Sequence, residues 1–155
     1  MTLIESESTT LSTMRRILLV VFIAGSAATI IELLFLGHFE DTRQVIPVFL
    51  LVAGLCELGF YGVVRKPKSL KIFQVTMVLF FISGVLGIIY HYQGNQEFAL
   101  EGNPSLSSRE LIERIVKGGA PILGPGMMIQ FGFLGLAFTY RHPHLTSSVN
   151  AQSAS

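Results

Sequence analysis

Two histidines and three acids lie near the ends of long apolar segments, where they could bind a ligand or move a proton. His38 and Asp41 follow the first apolar segment, and His91 and Glu97 lie at the end of the third. Imidazole nitrogens and carboxylate oxygens are ligands for zinc and other first-row metals. If both segments end at the same membrane face, these side chains approach one another above Glu32. The sequence thus offers one candidate ligand or proton site: Glu32, His38, Asp41, His91 and Glu97.

Three alternatives account for this cluster. Interfacial histidines and acids can simply cap helices and bind water, because their spacing matches no strong metal motif. A divalent metal site would use His38, Asp41 and His91, but His38 and Asp41 share a face only if the helix continues through Asp41. Haem is a further option, since two histidines on facing helices can act as axial ligands, although both lie at the membrane edge. The sequence itself requires no cofactor.

Polar residues also lie within the apolar segments. Charged groups are costly in hydrocarbon and by default indicate function. A rise of 1.5 Å per residue places Glu32 roughly 6–8 Å and Glu57 roughly 15–18 Å inside the ends of their segments, so these acids do not form a close pair. Gln130 lies at nearly the depth of Glu57, which allows a hydrogen bond between them. A protonated glutamate can also bridge two helices structurally, so both a proton site and a structural role stay open.

Four apolar segments must position these residues. Of the 155 residues, 50% are hydrophobic and only 14% are charged, whereas soluble domains carry about 25% charged residues. The composition therefore indicates a membrane protein and excludes an extended disordered chain. A membrane helix needs roughly 20 mostly apolar residues. Four segments meet this length, at about 17–36, 45–64, 72–91 and 120–140.

Charge and motif content exclude other classes of function. A formal net charge of +1 without a basic face argues against nucleic-acid binding. Cys56 is the single cysteine, so neither a disulfide framework nor a dithiol redox site can form. The sequence contains no P-loop, dinucleotide fingerprint, His-Glu-x-x-His motif or nucleophile elbow. These absences favour a protein without catalytic chemistry of its own.

Most basic residues lie in those flanks of the four segments that would share one side of a membrane. This distribution predicts the orientation of the chain in the membrane. The first segment is expected to be retained, because its apolar run exceeds the about 7–15 residues of a cleaved signal. Both termini should then be cytoplasmic, with His142 and His144 in a solvated tail on that side. The basic residues of this side are Arg15, Arg16, Arg65, Lys66, Lys68, Lys71 and Arg141.

The loop between the third and fourth segments contains a well-signalled short helix. Ser107 is a suitable N-cap, and Glu110 follows three residues later, as in a capping box. Apolar residues then repeat along one face of residues 111–116. An amphipathic helix beside a membrane most often lies in the interface. Residues 108–117 are therefore predicted to form an interfacial helix, either a lid on the helices or a docking element for a partner.

Three blocks of the sequence together resemble a group of small bacterial four-helix inner-membrane proteins that has no assigned activity. The blocks are residues 32–41 (ELLFLGHFED), 91–101 (HYQGNQEFALE) and 125–143 (PGMMIQFGFLGLAFTYRHP). The resemblance extends over about residues 15–143. It implies a bacterial inner-membrane location and a bundle of four spans, and it implies no activity and no functional residue.

We therefore predict an all-α membrane protein, with an antiparallel bundle of four transmembrane helices in residues 15–143 and mobile tails at 1–14 and 144–155. The predicted function is that of a non-catalytic accessory subunit or binding protein that uses the outer cluster. The expected partners are the lipid bilayer and a homo-oligomer or larger membrane complex, without nucleic acid. The alternative is a proton- or metal-linked protein, in transport or cofactor binding, that uses Glu32, His38, Asp41 and His91.

Overall fold

The computed structural model describes residues 3–145 of the chain, with side chains from residue 9 onward. These residues form five α-helices and no β-strand. The all-α class predicted from the sequence is confirmed for this part of the chain, and the predicted tail beyond residue 145 lies outside it. The helices are α1 (Leu3–Phe35), α2 (Thr42–Val64), α3 (Pro67–Gly102), α4 (Ser108–Val116) and α5 (Gly126–Thr139).

Three of these helices are long and apolar enough to cross a membrane, namely α1 from Thr9 to Phe35, α2 and α3. The fifth helix, α5, is also apolar, but its 14 residues extend only about 21 Å at 1.5 Å per residue. The hydrocarbon core of a bilayer is about 30 Å thick. Residues 3–145 therefore contain three helices of spanning length, where the sequence predicts four.

Helices α1 and α3 are longer than the sequence predicts. The first begins at Leu3 rather than near residue 17, so residues 3–14 of the predicted tail are helical. A helix that is already nucleated adds residues cheaply, and the stable apolar segment supplies that nucleus. The third continues past residue 91 to Gly102, because residues 92–102 include good helix formers and bury Ala99.

The start of α5 also differs from the prediction. This helix begins at Gly126 rather than near residue 120. Proline disfavours helical backbone in the residue before it, and Pro121 and Pro125 both fall in this stretch. The chain instead forms successive turns, in which the Gly124 N–H donates to the Pro121 carbonyl at 3.0 Å.

The four apolar helices pack so that each contacts two others. Helix α3 packs against α5 and α2, and α1 packs against the same two helices, so the order around the core is α1, α2, α3, α5. Phe22 of α1 is fully buried at the centre. Its ring makes edge contacts with Phe73 of α3 and Phe131 of α5, at centroid distances of 5.6 and 6.0 Å. Aromatic edge contacts of this kind add to the dispersion energy of the core.

Glycines let α3 and α5 approach closely. A Cβ atom built on Gly132 of α5 would lie 2.8 Å from the Met77 carbonyl oxygen of α3. A Cβ atom on Gly84 of α3 would lie 2.9 Å from the Pro125 carbonyl oxygen and 2.6 Å from a side-chain atom of Ile129. Larger residues at these positions would separate the two backbones. Close approach increases van der Waals contact, which drives helix association where no hydrophobic force acts between helices.

The helix ends are sorted into two groups. Nη2 of Arg15 donates to the Arg141 carbonyl at 2.8 Å, which joins the early part of α1 to the chain after α5. The two-residue connection from α2 to α3 lies at this end as well. Tyr61, near the end of α2, contacts His142 in the turn after α5. We call this the basic end, defined by Arg15, Arg16, Arg65, Lys66 and Arg141. The opposite end, where α1 and α3 finish, is called the α4 end.

Helix α4 forms where the sequence predicts it. Ser107 Oγ accepts from the Glu110 N–H, and the Glu110 carboxylate accepts from the Ser107 N–H, so the predicted capping box is confirmed. The fully buried Ile115 anchors this helix, which packs against α3. The C-terminal part of α3 and α4 thus form a helical hairpin at the α4 end.

Candidate functional site

The structure brings His38 and His91 together at the α4 end, with their ring centroids 6.4 Å apart. A Schellman motif positions His38: its N–H donates to the Leu33 carbonyl at 2.9 Å, and Gly37 adopts a left-handed φ of 64°. His91 Nδ1 lies 2.9 Å from the Pro121 carbonyl. A carbonyl only accepts, so Nδ1 carries the proton, and Nε2 of a neutral His91 is free to act as a ligand or base.

The three acids predicted for this cluster do not join the histidine pair. Glu32, Asp41 and Glu97 are exposed, and their carboxylates make no hydrogen bond or ion pair within the described residues. The helix ends at Phe35, so His38 and Asp41 do not share a helical face. In the chain from residue 3 to 145, no group of three or more His, Cys, Asp or Glu side chains is placed to hold a metal ion.

The histidine pair predicts a loss of stability in acid. Burial, and secondly the charge on His91, lower the pKa of His38. The folded protein therefore binds this proton less readily than the unfolded chain, so its contribution is complete above the usual pKa of about 6.5 and declines as the pH falls below it. We expect the apparent melting temperature in detergent to fall from about pH 7.5 to pH 5.5. The His38→Asn variant should lose less on the same scan.

A second histidine supplies an internal comparison for this measurement. Burial, and then the charges on Arg15 and His144, lower the pKa of His142. The His142→Asn variant should therefore remove a separate part of the acid sensitivity, and the double variant should be the least sensitive. Equal losses in the original protein and in His38→Asn would show that His38 does not titrate in this way.

Glu57 pairs with a different residue from the one predicted. Its Oε1 accepts a hydrogen bond from Thr76 Oγ1 of α3 at 2.8 Å, and its Oε2 is buried with no partner in the part of the chain that the structure describes. Gln130 is exposed on α5, and α2 packs on α1 and α3 rather than on α5. The predicted Glu57–Gln130 hydrogen bond is therefore wrong, because these helices are not neighbours. The bond that forms instead joins α2 to α3.

Removing this interhelical hydrogen bond should have a modest effect. The Thr76→Val substitution deletes only the donor, and hydrogen bonds between membrane helices contribute about 0.6 kcal/mol on average and about 1.7 at most. We expect a loss of about 1 kcal/mol in the free energy of unfolding, measured by denaturing-detergent titration. Thr29→Val provides the control, because the Thr29 hydroxyl makes no hydrogen bond in the described part of the chain. Equal losses in both variants would contradict the role of Thr76.

Asn95, like Thr76, is a buried polar residue whose role was not predicted from the sequence. It is only 5% exposed, and its amide nitrogen donates to the carbonyls of Ile115 and Ala120 at 2.9 and 2.7 Å. Its amide oxygen accepts from the Ala120 N–H at 3.1 Å. Asn95 therefore fixes the end of α4 and the start of the next loop to α3. The available signal was its spacing, since Gly87, His91 and Asn95 follow one another at four-residue intervals on one face of α3.

The histidines at the basic end are not part of a solvated tail, contrary to the prediction. His142 and His144 are half-buried. The Tyr61 hydroxyl lies 2.8 Å from His144 Nδ1 and 3.4 Å from His142 Nε2. The turn that follows α5 folds back onto α2 and places both rings against Tyr61, which explains the difference.

The fold and these contacts define a class: an all-helical protein with three helices long enough to cross a membrane. At one end it presents a histidine pair and a hairpin held by Asn95, and at the other a basic cluster. The chain matches no protein-family model, no curated protein and no solved structure. Its function is therefore inferred from its own side-chain contacts.

Proposed function

We propose that the chain is a four-span protein of a bacterial inner membrane that acts as a non-catalytic binding or accessory subunit. Its termini lie in the cytoplasm, and its binding surface is the hairpin of α3 and α4. The histidine–carboxylate cluster predicted as that surface is replaced in this proposal, because the described residues contain no group of three or more such side chains placed to hold a metal ion.

Two features support four spans. The turns of residues 120–125 lead into α5 and pack on α3, where a Cβ atom on Gly87 would lie 2.6 Å from Pro125. Together these turns and α5 make a continuous apolar segment beside α1 and α3. The basic flanks meet at one end, as the Arg15–Arg141 hydrogen bond shows. Such flanks are typical of the cytoplasmic side.

The hairpin of α3 and α4 extends beyond the bilayer in this arrangement. Residues 92–102 of α3 add about 16 Å past His91, whereas one headgroup region is about 5–7 Å deep. A groove of about 520 Å³ runs between the two helices. Asn95 fixes α4 to α3. In this proposal, α4 and the groove therefore form one surface of fixed shape outside the lipid.

The exposed apolar edge of α4 is the observation that carries the proposal. Ile115 is 1% exposed and faces α3, whereas Ile112 and Val116 are 61% and 66% exposed on the adjacent side of the same short helix. Phe98 of α3 is also exposed at this end. Apolar side chains that stand together outside the core are typical of a docking surface.

Site-specific photocrosslinking in native membranes tests this assignment. A photoreactive amino acid at Ile112 should give a protein adduct of defined size, either with a second copy or with a larger subunit. The same amino acid at Val78, which is exposed in the middle of α3, is the control and should react with lipid. Lipid adducts alone at Ile112, or equal protein adducts at both positions, would contradict a binding role for the hairpin.

The histidine pair favours a second candidate, a metal-linked function. We propose that one divalent transition ion binds between His38 and His91, because zinc–imidazole bonds of about 2.0–2.1 Å fit between rings 6.4 Å apart. Calorimetric titration of the purified protein with zinc should show one site that His38→Ala and His91→Ala each abolish. Gln93→Ala, at an exposed position near the same end, is the control. Zinc binding that is unchanged in the two variants would sink this candidate.

A further inference from the structure

A cleft of about 390 Å³ lies at the basic end, far from the hairpin and the histidine pair. It is bounded by α1, α2 and the turn after α5. Within the described residues its lining includes no acid. The basic side chains that line it are Arg15, Arg16, Arg65, His142 and His144.

The guanidinium of Arg15 is positioned to bind an anion in this cleft. One of its terminal nitrogens donates to the Arg141 carbonyl at 2.8 Å, which holds the guanidinium in place. Its Nε is buried and has no hydrogen-bond partner among the described residues. A buried donor without an acceptor is costly, and an anion in the cleft would supply one. The planar guanidinium matches phosphate oxygens particularly well.

Tyr61, His144 and His142 form a second polar part of the cleft lining, in which the Tyr61 hydroxyl is hydrogen-bonded to both histidines. Burial lowers the pKa of His142, and the charges on Arg15 and His144 lower it further. The charges on Arg15 and His144 therefore add to the effect of burial in disfavouring a proton on His142. A bound anion would relieve this repulsion.

Apart from Ser12, the remaining lining is apolar and includes Leu19, Leu58 and Phe138. A cleft lined by both cationic groups and apolar side chains matches a molecule that has both characters. Basic pockets between helices on the cytoplasmic side are typical binding sites for anionic lipid headgroups. A free phosphate ion would leave the apolar side without a partner.

We propose that this cleft binds the phosphate of an anionic phospholipid headgroup, with an acyl chain along Leu58 and Phe138. The inference rests on the membrane placement proposed above, but not on the hairpin as a binding surface. Purified full-length protein in neutral detergent separates the two, because lipid binding there depends neither on orientation in a membrane nor on a protein partner.

Native mass spectrometry and calorimetric titration with short-chain phosphatidylglycerol test the proposal. We expect one lipid per chain and weaker binding of short-chain phosphatidylcholine. Arg65→Gln should weaken phosphatidylglycerol binding about fivefold, and Arg15→Gln should do so at least as strongly. Lys68→Gln is the matched control, because Lys68 lies near the same end but does not line the cleft. Circular dichroism confirms that each variant is folded, and Arg65→Gln gives a test that spares the Arg15–Arg141 bond.

Each outcome of this experiment bears on the proposal. A selective loss in the arginine variants, with Lys68→Gln unchanged, supports it. Equal weakening in all three variants would indicate general charge attraction instead of a specific site, and would overturn the proposal. Equal affinity for phosphatidylglycerol and phosphatidylcholine would overturn it as well. Glycerol phosphate that binds as tightly as the lipid would assign the cleft to a soluble phosphate and overturn the lipid assignment.

Discussion

The Asn95→Ala variant is expected to lose about 3–5 kcal/mol of unfolding free energy, since each buried group left unsatisfied costs about 1–3 kcal/mol. The substitution removes three hydrogen bonds at once and leaves the carbonyl and the N–H of Ala120 without these partners. The Ile115 carbonyl keeps the longer bond from the Gly118 N–H, at 3.4 Å. Because Asn95 is 5% exposed, water cannot easily replace it. Denaturing-detergent titration followed by circular dichroism measures this loss.

The same substitution should also release α4. Hydrogen–deuterium exchange should show faster exchange in residues 108–116, while the apolar core of α3 stays protected. Gln93→Ala, at an exposed position two residues earlier, is the control and should change stability by less than about 0.5 kcal/mol. Slow exchange in α4 of the Asn95→Ala variant would show that packing of Ile115 alone holds the hairpin.

The Gly132→Ala variant is expected to lose about 1–3 kcal/mol, the usual cost of overpacking a close contact. The added methyl group would meet the Met77 carbonyl oxygen at 2.8 Å and the Phe81 amide nitrogen at 3.4 Å. These are backbone atoms, which cannot rotate away as a side chain would. The two helices must therefore move apart and lose van der Waals contact along their whole interface. Thermal unfolding in mild detergent provides the measurement.

A second glycine provides a control, for which we expect no loss of stability. A Cβ atom on Gly59 of α2 meets nothing within 4 Å. Gly59→Ala should therefore leave stability unchanged or raise it by up to about 1 kcal/mol, because alanine has the higher helix propensity. Equal effects of the two substitutions would mean that the α3–α5 contact is looser than the structure indicates.

Local signals in the sequence predicted helical class and several helix ends well. The capping box of Ser107 and Glu110 depends on residues only three apart, so it can be read from the chain directly. The first residue of α5 was harder to predict, because the prolines could equally begin a helix or delay it. The length of α3 depended on a contact with α4, and packing of this kind overrides the polar composition of residues 92–102.

The candidate sites were harder to predict, since they depend on which helices are neighbours. Glu57 and Gln130 have similar depth, but the order of the helices places α2 beside α3, where Thr76 supplies the donor. The approach of His38 to His91 followed from the shared direction of two helices, which the sequence does indicate. Asp41 failed to join them because the Schellman motif at Gly37 turns the chain before it. Glu32 and Glu97 lie on exposed faces of α1 and α3.

The short length of α5 bears on how this protein is made. During synthesis α1, α2 and α3 emerge first, and each is long enough to partition into a bilayer unaided. The 14 residues of α5 are too few to do so, and Gly132 meets its partner only after α3 is in place. In the four-span arrangement proposed above, α5 would enter last, along a surface that α3 provides, so that the final step of membrane insertion would itself be a step of folding.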